Sequence, residues 1–253
     1  DHHRETAQTG RGGQQPLMSG GLLILRESDN ELALFKPAGL SSEFKGDTDG
    51  VSAKALVAKR HPGADPKLPH RLDRITRGIL LVCLSQKAIA FQNEQIKAGR
   101  WEKYYLARVA APTGKSPLEF IGEHMAYLKE VKGRAKLVHA GGKPSRLEIL
   151  GAAPAPEMPE RWHLLVRLLT GRFHQIRVMC AGMGLPLAGD PLYDPERRDP
   201  AEFYLEHIIL KYTPFDTKQP TTLFLPKLAE RGPIAPELSE LLAMIVEREP
   251  LFI

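Results

Sequence analysis

The stretch Pro69-His70-Arg71-Leu72-Asp73-Arg74 and the apolar run Gly78–Leu84 (GILLVCL) that follows it decide the fold. The apolar run is short, continuous and rich in branched residues, so it predicts a strand that is buried on both faces. The charged stretch precedes this strand and places Asp73 between two arginines near the strand's edge. We expect the carboxylate to stay ionised beside these guanidinium groups.

This stretch has two functional interpretations and one structural one. An ionised, positioned Asp73 acts as a nucleophile or as an electrostatic partner for a cationic centre. The arginines on either side, Arg71 and Arg74, are suited to hold phosphates. Taken alone, the stretch is explained more simply as an ion-pair cluster on a surface loop.

Two later runs carry the same types of residue. Lys103–Val109 (KYYLARV) is one, and Thr170–Arg177 (TGRFHQIR), which is followed by Gly184–Asp190 (GLPLAGD), is the other. Both runs combine phosphate-type donors with an aromatic or acidic group, and the second also contains glycines that allow a backbone to approach closely. This repetition favours a functional site over an isolated ion-pair cluster.

Composition sets wider bounds. The 253 residues suit one large domain or two modest ones, and a hydrophobic content of 42% supports a sizeable core. The net charge of +5 weakly favours a polyanionic partner. Cys83 and Cys180 lie in apolar runs and are predicted to be buried, and no histidine or cysteine spacing indicates a metal site.

The N-terminal segment and the absence of long apolar runs bear on location. No apolar run reaches the roughly 18 residues that a membrane-spanning helix needs. Residues 1–20 are polar and glycine-rich and lack the apolar centre of a signal peptide. We therefore expect a cytoplasmic protein in which residues 1–20 are disordered or artificially added and residues 21–253 form a single catalytic domain.

Strand patterns dominate, mostly as hairpins, with a few helices between them. The predicted strands are Leu22–Arg26, Glu31–Phe35, Ile79–Leu84, Trp101–Ala110, Ala126–Val131, Ala135–Ala140, Arg146–Leu150, Trp162–Leu169, Tyr204–Tyr212 and Thr222–Leu225. The predicted helices are Val51–Arg60, Ser85–Ala98, Arg172–Gly182 and Glu237–Arg248, and the proline-rich stretch Gly151–Glu160 predicts a loop. This order indicates an α+β fold with a mixed, mainly antiparallel sheet and flanking helices and loops.

Five motifs in this order and spacing resemble the pseudouridine synthases of the RluA type. They are Lys36–Gly39 (KPAG), His70–Gly78 (HRLDRITRG), Lys103–Val109, Thr170–Arg177 and Gly184–Asp190. The resemblance extends roughly from Leu22 to Leu225. It implies the pseudouridine synthase catalytic fold and an enzyme that isomerises specific uridines of tRNA or rRNA. We further expect a monomer that needs neither a cofactor nor a metal.

The resemblance also implies roles for single residues. The family's catalytic aspartate corresponds to Asp73, which would act at the anomeric carbon of a flipped-out uridine, by covalent attack or by assisting an elimination. Arg177 would pair with Asp73 and orient it. Tyr105 would stack on the base and is a candidate for removing the proton at carbon 5. A free tyrosine titrates near ~10, so that second role would need help from its neighbours.

The remaining expectations concern RNA contacts and nearby side chains. Arg71 is expected to fill the gap left by the flipped nucleotide, and the full set of expected RNA-binding residues is Arg71, Arg74, Arg77, Arg172 and Lys103. His70 and His174 are expected to be structural, and Asp190 to be a turn or capping acid. Tyr104 should point to the face of its strand opposite Tyr105.

Two positions depart from the family pattern. Arg77 replaces a small residue, and we expect it to add bulk and charge at the mouth of the site. Met179 replaces a histidine. These departures leave open a catalytically weak or inactive RNA-binding protein on the same fold. A glycosidase-like hydrolase is a second alternative, but it would usually need two carboxylates at a defined separation.

Overall fold

The computed structural model of the protein describes residues 17–19, 22–44, 51–111, 114–225 and 232–249. The strands in these ranges are β1 (Leu17–Ser19), β2 (Leu22–Glu27), β3 (Glu31–Lys36), β4 (Arg77–Cys83), β5 (Glu102–Ala110), β6 (Gly122–Val131), β7 (Arg134–Leu137), β8 (Lys143–Ala155), β9 (Met158–Leu168), β10 (Leu205–Tyr212) and β11 (Thr221–Phe224). The α-helices are α1 (Ala53–Arg60), α2 (Gln86–Lys97), α3 (Gln175–Gly182) and α4 (Pro236–Glu247).

The described strands form one sheet. Its order is β1-β2-β3-β4-β10-β5-β9-β8-β6-β7, and β11 pairs with β10. The pair β4–β10 is parallel, and the other strand pairs in this part of the chain are antiparallel. The predicted α+β fold with a mixed, mainly antiparallel sheet is therefore confirmed.

Hydrophobic cores lie on both faces of the sheet. The front core contains Leu80 and Tyr105 and extends to Ile176 on α3. The back core contains Tyr104 and is covered by α4 through residues such as Leu238. Because β4 lies between β3 and β10 and is covered on both sides, its residues from Gly78 onward are buried, as its continuous apolar run predicts.

Gly78 allows β4 and β10 to approach closely beside the site. Its φ is +122°, and a Cβ built on it would lie 2.4 Å from the backbone oxygen of His207. Any larger residue would have to push the two strands apart. This close approach explains why the His70–Gly78 motif ends in a glycine.

Three expectations need correction. Gly151–Glu160 is not a loop, because β8 and β9 continue through most of it. Pro154 is tolerated there because β6 stops pairing with β8 at Ile149, so the missing N–H of the proline faces no partner strand. The helix expected from Arg172 begins only at Gln175.

The third correction concerns the N-terminal segment. Leu17–Ser19, which were expected to be disordered or artificial, pair with β2 as strand β1. The rest of residues 1–20 lies outside the described residues. No helix in the described part of the chain is long and apolar enough to cross a membrane.

Candidate active site

Asp73 lies in the loop that precedes β4, and two polar side chains fasten this loop. Ser42 Oγ accepts from the Leu72 amide at 3.0 Å and donates to the Leu72 carbonyl at 2.8 Å. The buried Lys36 amine donates to the carbonyls of Leu40 at 2.7 Å and Arg74 at 3.4 Å. The backbone is therefore held on both sides of Asp73.

In the sequence, Lys36 was identified only as the first residue of the KPAG motif, and its role in holding the Asp73 loop was not predicted. Its side chain is buried at the end of β3, and burial lowers the pKa of its amine to about 8, although the charge of Asp73 opposes this shift. The signal for this role is a lysine at the end of the apolar strand Glu31–Lys36, where a buried amine needs several carbonyl partners.

Arg177 joins two carboxylates at the bottom of the site. Its Nη1 donates to Asp73 Oδ2 at 3.1 Å. Its Nε and Nη2 donate to the two oxygens of Asp190 at 2.7 and 2.9 Å. Burial opposes the charge on Arg177, but the bonds to Asp190 and the proximity of Asp73 outweigh it and raise the pKa of the guanidinium. The guanidinium is thus a fixed cation that orients Asp73.

Asp190 is both the expected turn acid and the anchor of Arg177. Its Oδ1 also accepts from the amides of Leu192 at 2.9 Å and Tyr193 at 3.1 Å. The carboxylate is buried and fully used by these partners. Sequence reasoning identified the turn role but missed the bidentate pair with Arg177, which lies 13 residues earlier.

Asp73 is the member of this group that remains open to the cleft. Its side chain keeps 21% of its surface exposed, against 3% for Arg177 and 0% for Asp190. Within the described part of the chain, Oδ2 carries its hydrogen bond and Oδ1 carries none. One carboxylate oxygen is therefore available to a bound molecule.

Tyr105 lies beside Asp73 on the front face of β5. Its ring stacks on His207, with 4.7 Å between the ring centroids and 15° between the planes. Burial and the charge of Asp73 raise the pKa of the Tyr105 hydroxyl. The neighbours therefore disfavour the phenolate and give no help to Tyr105 as a base. Its ring, supported from below by His207, offers a flat surface to the cleft.

His207 was not singled out in the sequence. Its Nδ1 lies 2.7 Å from the carbonyl oxygen of Ile79, and burial lowers the pKa of its imidazole to about 3. His70 is also buried: its Nε2 accepts from the Leu81 amide at 3.0 Å, and burial lowers its pKa well below the usual value. Both are neutral structural histidines, as was predicted for His70.

Lys103 lies two residues before Tyr105 and faces the same cleft. Its Nζ is close to Gly171, where an added Cβ would lie 3.2 Å from it. Burial lowers the pKa of this amine to about 8. No carboxylate among the described residues pairs with it. Below about pH 8 Lys103 is therefore a cation that lies near the ring of Tyr105 without a fixed counter-charge.

His174 stands at the edge of the site. Its Nε2 is 3.8 Å from Asp73 Oδ2, and its Nδ1 is 2.8 Å from the hydroxyl of Tyr193. Burial lowers its pKa more than Asp73 raises it. A neutral imidazole, stacked on Phe173 at 3.7 Å, is in keeping with the structural role expected for it.

These residues line a cleft of about 540 Å³ on the front of the sheet. Asp73, Tyr105 and Arg177, the three residues expected to be catalytic, meet in it. Arg71, Arg74 and Arg172 lie at its rim with exposed side chains. The part of the chain that the structure describes contains no group of three or more histidine, cysteine or acidic side chains placed to hold a metal ion.

Arg77 is not where it was expected. Its side chain is only 11% exposed and points to the back face, where Nε lies 3.3 Å from a carboxylate oxygen of the buried Glu206. Its guanidinium also packs on the rings of Phe35 at 5.1 Å and Tyr204 at 5.7 Å. Arg77 therefore neither lines the mouth of the cleft nor is free to bind RNA there. Tyr104 points to this back face too, as predicted.

Comparisons with known proteins agree with this geometry. The family model described as RNA pseudouridylate synthase matches residues 31–182. Ribosomal large subunit pseudouridine synthase C from Vibrio cholerae is 33% identical over 191 residues, which cover 74% of this chain and 58% of the relative. The dual-specificity RNA pseudouridine synthase RluA from Escherichia coli is 30% identical over 192 residues, which cover 74% of this chain and 84% of the relative.

A solved structure extends the similarity to the whole fold. Human RNA pseudouridylate synthase domain containing 1 superposes with a TM-score of 0.67 at 21% identity, covering 94% of this chain and 100% of the human chain. The chain spans 58% of the length of the Vibrio cholerae relative and 60% of the length of the ribosomal large subunit pseudouridine synthase C from Rickettsia bellii.

Proposed function

Because the chain belongs to the RNA pseudouridylate synthase family, we propose that it converts specific uridines of tRNA or rRNA to pseudouridine, with Asp73 as the catalytic carboxylate. The observation that carries this proposal is the open carboxylate of Asp73, held at 3.1 Å by an arginine that Asp190 anchors. The cytoplasmic location and the monomeric state expected from the sequence stay predictions.

The chemistry begins at the bond between the base and the sugar. The C1′–N1 bond breaks and its electron pair moves onto the uracil, which becomes an anion delocalised over N1 and O2. Asp73 either bonds to C1′ or takes a proton from the neighbouring ribose carbon. Both routes need a carboxylate with a free oxygen, and the bond from Arg177 orients Asp73 while leaving Oδ1 open.

The detached uracil must be retained and stabilised while it turns. The ring of Tyr105, supported by His207, provides a surface on which it can stack. Lys103 provides a positive charge on the same side of β5, and it has no carboxylate partner among the described residues. A fixed cation next to a developing negative charge lowers the barrier to its formation. We therefore assign Lys103 to stabilising the uracil anion.

The reaction ends when carbon 5 bonds to C1′. As that bond forms, Asp73 leaves C1′ in the covalent route or returns its proton to the ribose carbon in the elimination route, and the proton on carbon 5 is then lost. Tyr105 accepts this proton only as a phenolate, a form that burial and Asp73 disfavour. We therefore assign stacking as its main role. The exposed Arg71, Arg74 and Arg172 surround the entrance and are suited to contact RNA phosphates and to replace the flipped nucleotide.

The direct test is to incubate the protein with transcribed tRNA and rRNA fragments and to detect pseudouridine by chemical derivatisation of the nucleosides. We expect product from the wild type and none from Asp73→Asn. Bound RNA without product from the wild type would instead favour the inactive RNA-binding protein. If the wild type neither binds these RNAs nor forms pseudouridine, the proposed function is wrong.

A further inference from the structure

The end of the sheet formed by β6, β7 and β8 carries a basic surface that the proposed reaction does not use. Its exposed members include the acidic Glu123 together with Met125, Tyr127, Lys129, Arg134, Lys136 and Arg146, and we call this set the outer face. The strand register brings them together, because Met125 lies opposite Arg146 and Lys129 lies opposite Lys136. Residues directly opposite each other point to the same side of a sheet.

The other side of the same strands belongs to the front core. Leu128 on β6, Ala135 on β7 and Leu147 on β8 are buried there, together with residues of α3. The alternation of side chains along a strand therefore directs the outer face away from this core. From Met125 to Lys129 the surface extends about 13 Å along the strand, at roughly 3.3 Å per residue.

The charges of the outer face are not balanced. Arg146 pairs with Glu123 at 2.5 Å, but no carboxylate in the described ranges pairs with Lys129, Arg134 or Lys136. Lys129 and Lys136 are also direct cross-strand neighbours. Like charges in this position destabilise a sheet, so an anionic partner would relieve a cost that the isolated protein bears.

Apolar side chains lie among these cations. Met125 is 60% exposed and Tyr127 is 41% exposed. An exposed aromatic ring between lysines and arginines is the combination with which proteins bind single-stranded nucleic acid, since bases stack on the ring and phosphates pair with the cations.

The outer face is attached to the wall of the cleft. The Arg146 amide donates to Thr170 Oγ1 at 2.9 Å, and the Gln175 side-chain amide donates to the Arg146 carbonyl at 2.9 Å. Arg172, at the rim of the cleft, lies next to Pro144, which is the partner of Tyr127 across the strands. A chain leaving the cleft at Arg172 would reach Tyr127 by passing around the end of β8, where Pro144 lies, from the front of the sheet to its back.

We propose that the outer face binds a single-stranded RNA segment that flanks the modified uridine. The proposal rests on the proposed function for the uridine in the cleft. It adds a second binding site for RNA, outside the cleft, that selects substrates with an unpaired segment next to the target.

The test measures affinity for two oligouridylates, a 5-mer that fills only the cleft and a 20-mer that reaches further. The variant is Tyr127→Ser/Lys129→Gln/Lys136→Gln. Because removing the stacking of one base costs about tenfold, we expect at least about tenfold weaker binding of the 20-mer and unchanged binding of the 5-mer. The slope of log K against log salt should fall by roughly 1.4, at ~0.7 for each phosphate that a lysine no longer neutralises.

Lys59→Gln/Lys87→Gln is the charge-matched control, because it neutralises two exposed lysines on α1 and α2. It should bind both oligonucleotides like the wild type, apart from a small general electrostatic loss. A wild-type cross-linking experiment needs no variant: a 20-mer carrying 4-thiouridine should attach to the peptide that contains Tyr127.

The outcomes separate this inference from the proposed function. If the triple variant and the control bind the 20-mer equally, or if cross-links form only in the cleft, the outer face does not bind RNA. The proposed pseudouridine formation would be unaffected by that result. If no RNA yields pseudouridine but the triple variant loses 20-mer binding, the proposed function fails and the RNA-binding surface remains.

Discussion

Tyr104 and Tyr105 are neighbours on β5, yet they lie in two chemically different environments. On the back face, the Tyr104 hydroxyl bonds to Glu102 and to Arg248, and Glu102 also pairs with Arg167 at 3.6 Å. On the front face, Tyr105 lies beside Asp73, which keeps an oxygen open to the cleft.

Both faces contain arginine–carboxylate pairs and a buried tyrosine, so residue types alone do not identify the site. On the back face, Arg77 pairs with Glu206, and Glu102 pairs with Arg167 and with Arg248 at the end of α4. On the front face, Asp73 uses only Oδ2 to pair with Arg177, and its other oxygen is open to the cleft. Lys103 has no carboxylate partner in the described ranges. The difference teaches that incompletely satisfied charges in a cleft indicate chemistry, whereas fully paired ones indicate structure.

The largest expected effect is at the front carboxylate. Asp73→Asn keeps the shape of the side chain but removes its charge, so we expect the rate of pseudouridine formation to fall by about 10⁴-fold or more. Thermal unfolding should change little, because Asp73 is partly exposed. Single-turnover kinetics with saturating enzyme measure the loss, and a tenfold change or less would contradict a catalytic role.

The corresponding change on the back face should affect stability and not chemistry. Arg77→Met leaves the buried Glu206 without its arginine, so we expect the free energy of unfolding to fall by about 3 kcal/mol. Denaturant unfolding measures this loss. Arg77→Met/Glu206→Gln should recover part of it, and the rate per folded molecule should match the wild type in both variants. If Arg77→Met folded normally but lost RNA binding, Arg77 would be an RNA-binding residue, as the sequence predicted.

Lys103 offers a smaller effect with a distinctive pH dependence. Lys103→Met should lower the rate about 10²- to 10³-fold, as expected for one electrostatic interaction with the transition state. Because the pKa of Lys103 is lowered to about 8, its charge is present below that pH and is lost above it. Wild-type activity should therefore fall as pH rises through about 8.

Lys103→Arg tests this assignment, since an arginine stays charged throughout this range. It should retain part of the activity and should not show the decline above pH 8. If Lys103→Met and Lys103→Arg were equally impaired at every pH, Lys103 would contribute through its packing, and its charge would not stabilise the uracil anion.

The two tyrosines should give the smallest effects. Tyr104→Phe removes buried hydrogen bonds, so it should cost about 1–3 kcal/mol of unfolding free energy and leave the rate unchanged. Tyr105→Phe keeps the stacking ring, so the rate should fall only a few-fold, whereas Tyr105→Ala should be far slower. A loss of about 10³-fold in Tyr105→Phe would identify its hydroxyl as the base after all.

Much of this arrangement follows from the sequence. The apolar run of β4 predicts a central strand, and the alternation along β5 assigns Tyr104 and Tyr105 to opposite faces. The meeting of Asp73, Arg177 and Tyr105 was expected only from the resemblance to a family, because they lie far apart in the chain.

The errors have physical causes. β4 is buried on both sides, so it has no polar alternation to show which way Arg77 points. The proline-rich stretch was interpreted as a loop because the sequence does not show where β6 stops pairing with β8. The anchoring of Arg177 by Asp190 depends on a turn whose geometry only the folded chain shows.

The central claim is that Asp73 drives the exchange of a C1′–N1 bond for a C1′–C5 bond. RNA labelled with tritium at carbon 5 of uridine tests it directly, because that hydrogen is lost to water only when the new bond forms. We predict tritium release by the wild type and by Arg77→Met, in amounts that match the pseudouridine formed, and no release by Asp73→Asn. Equal release by Asp73→Asn and the wild type would contradict the account.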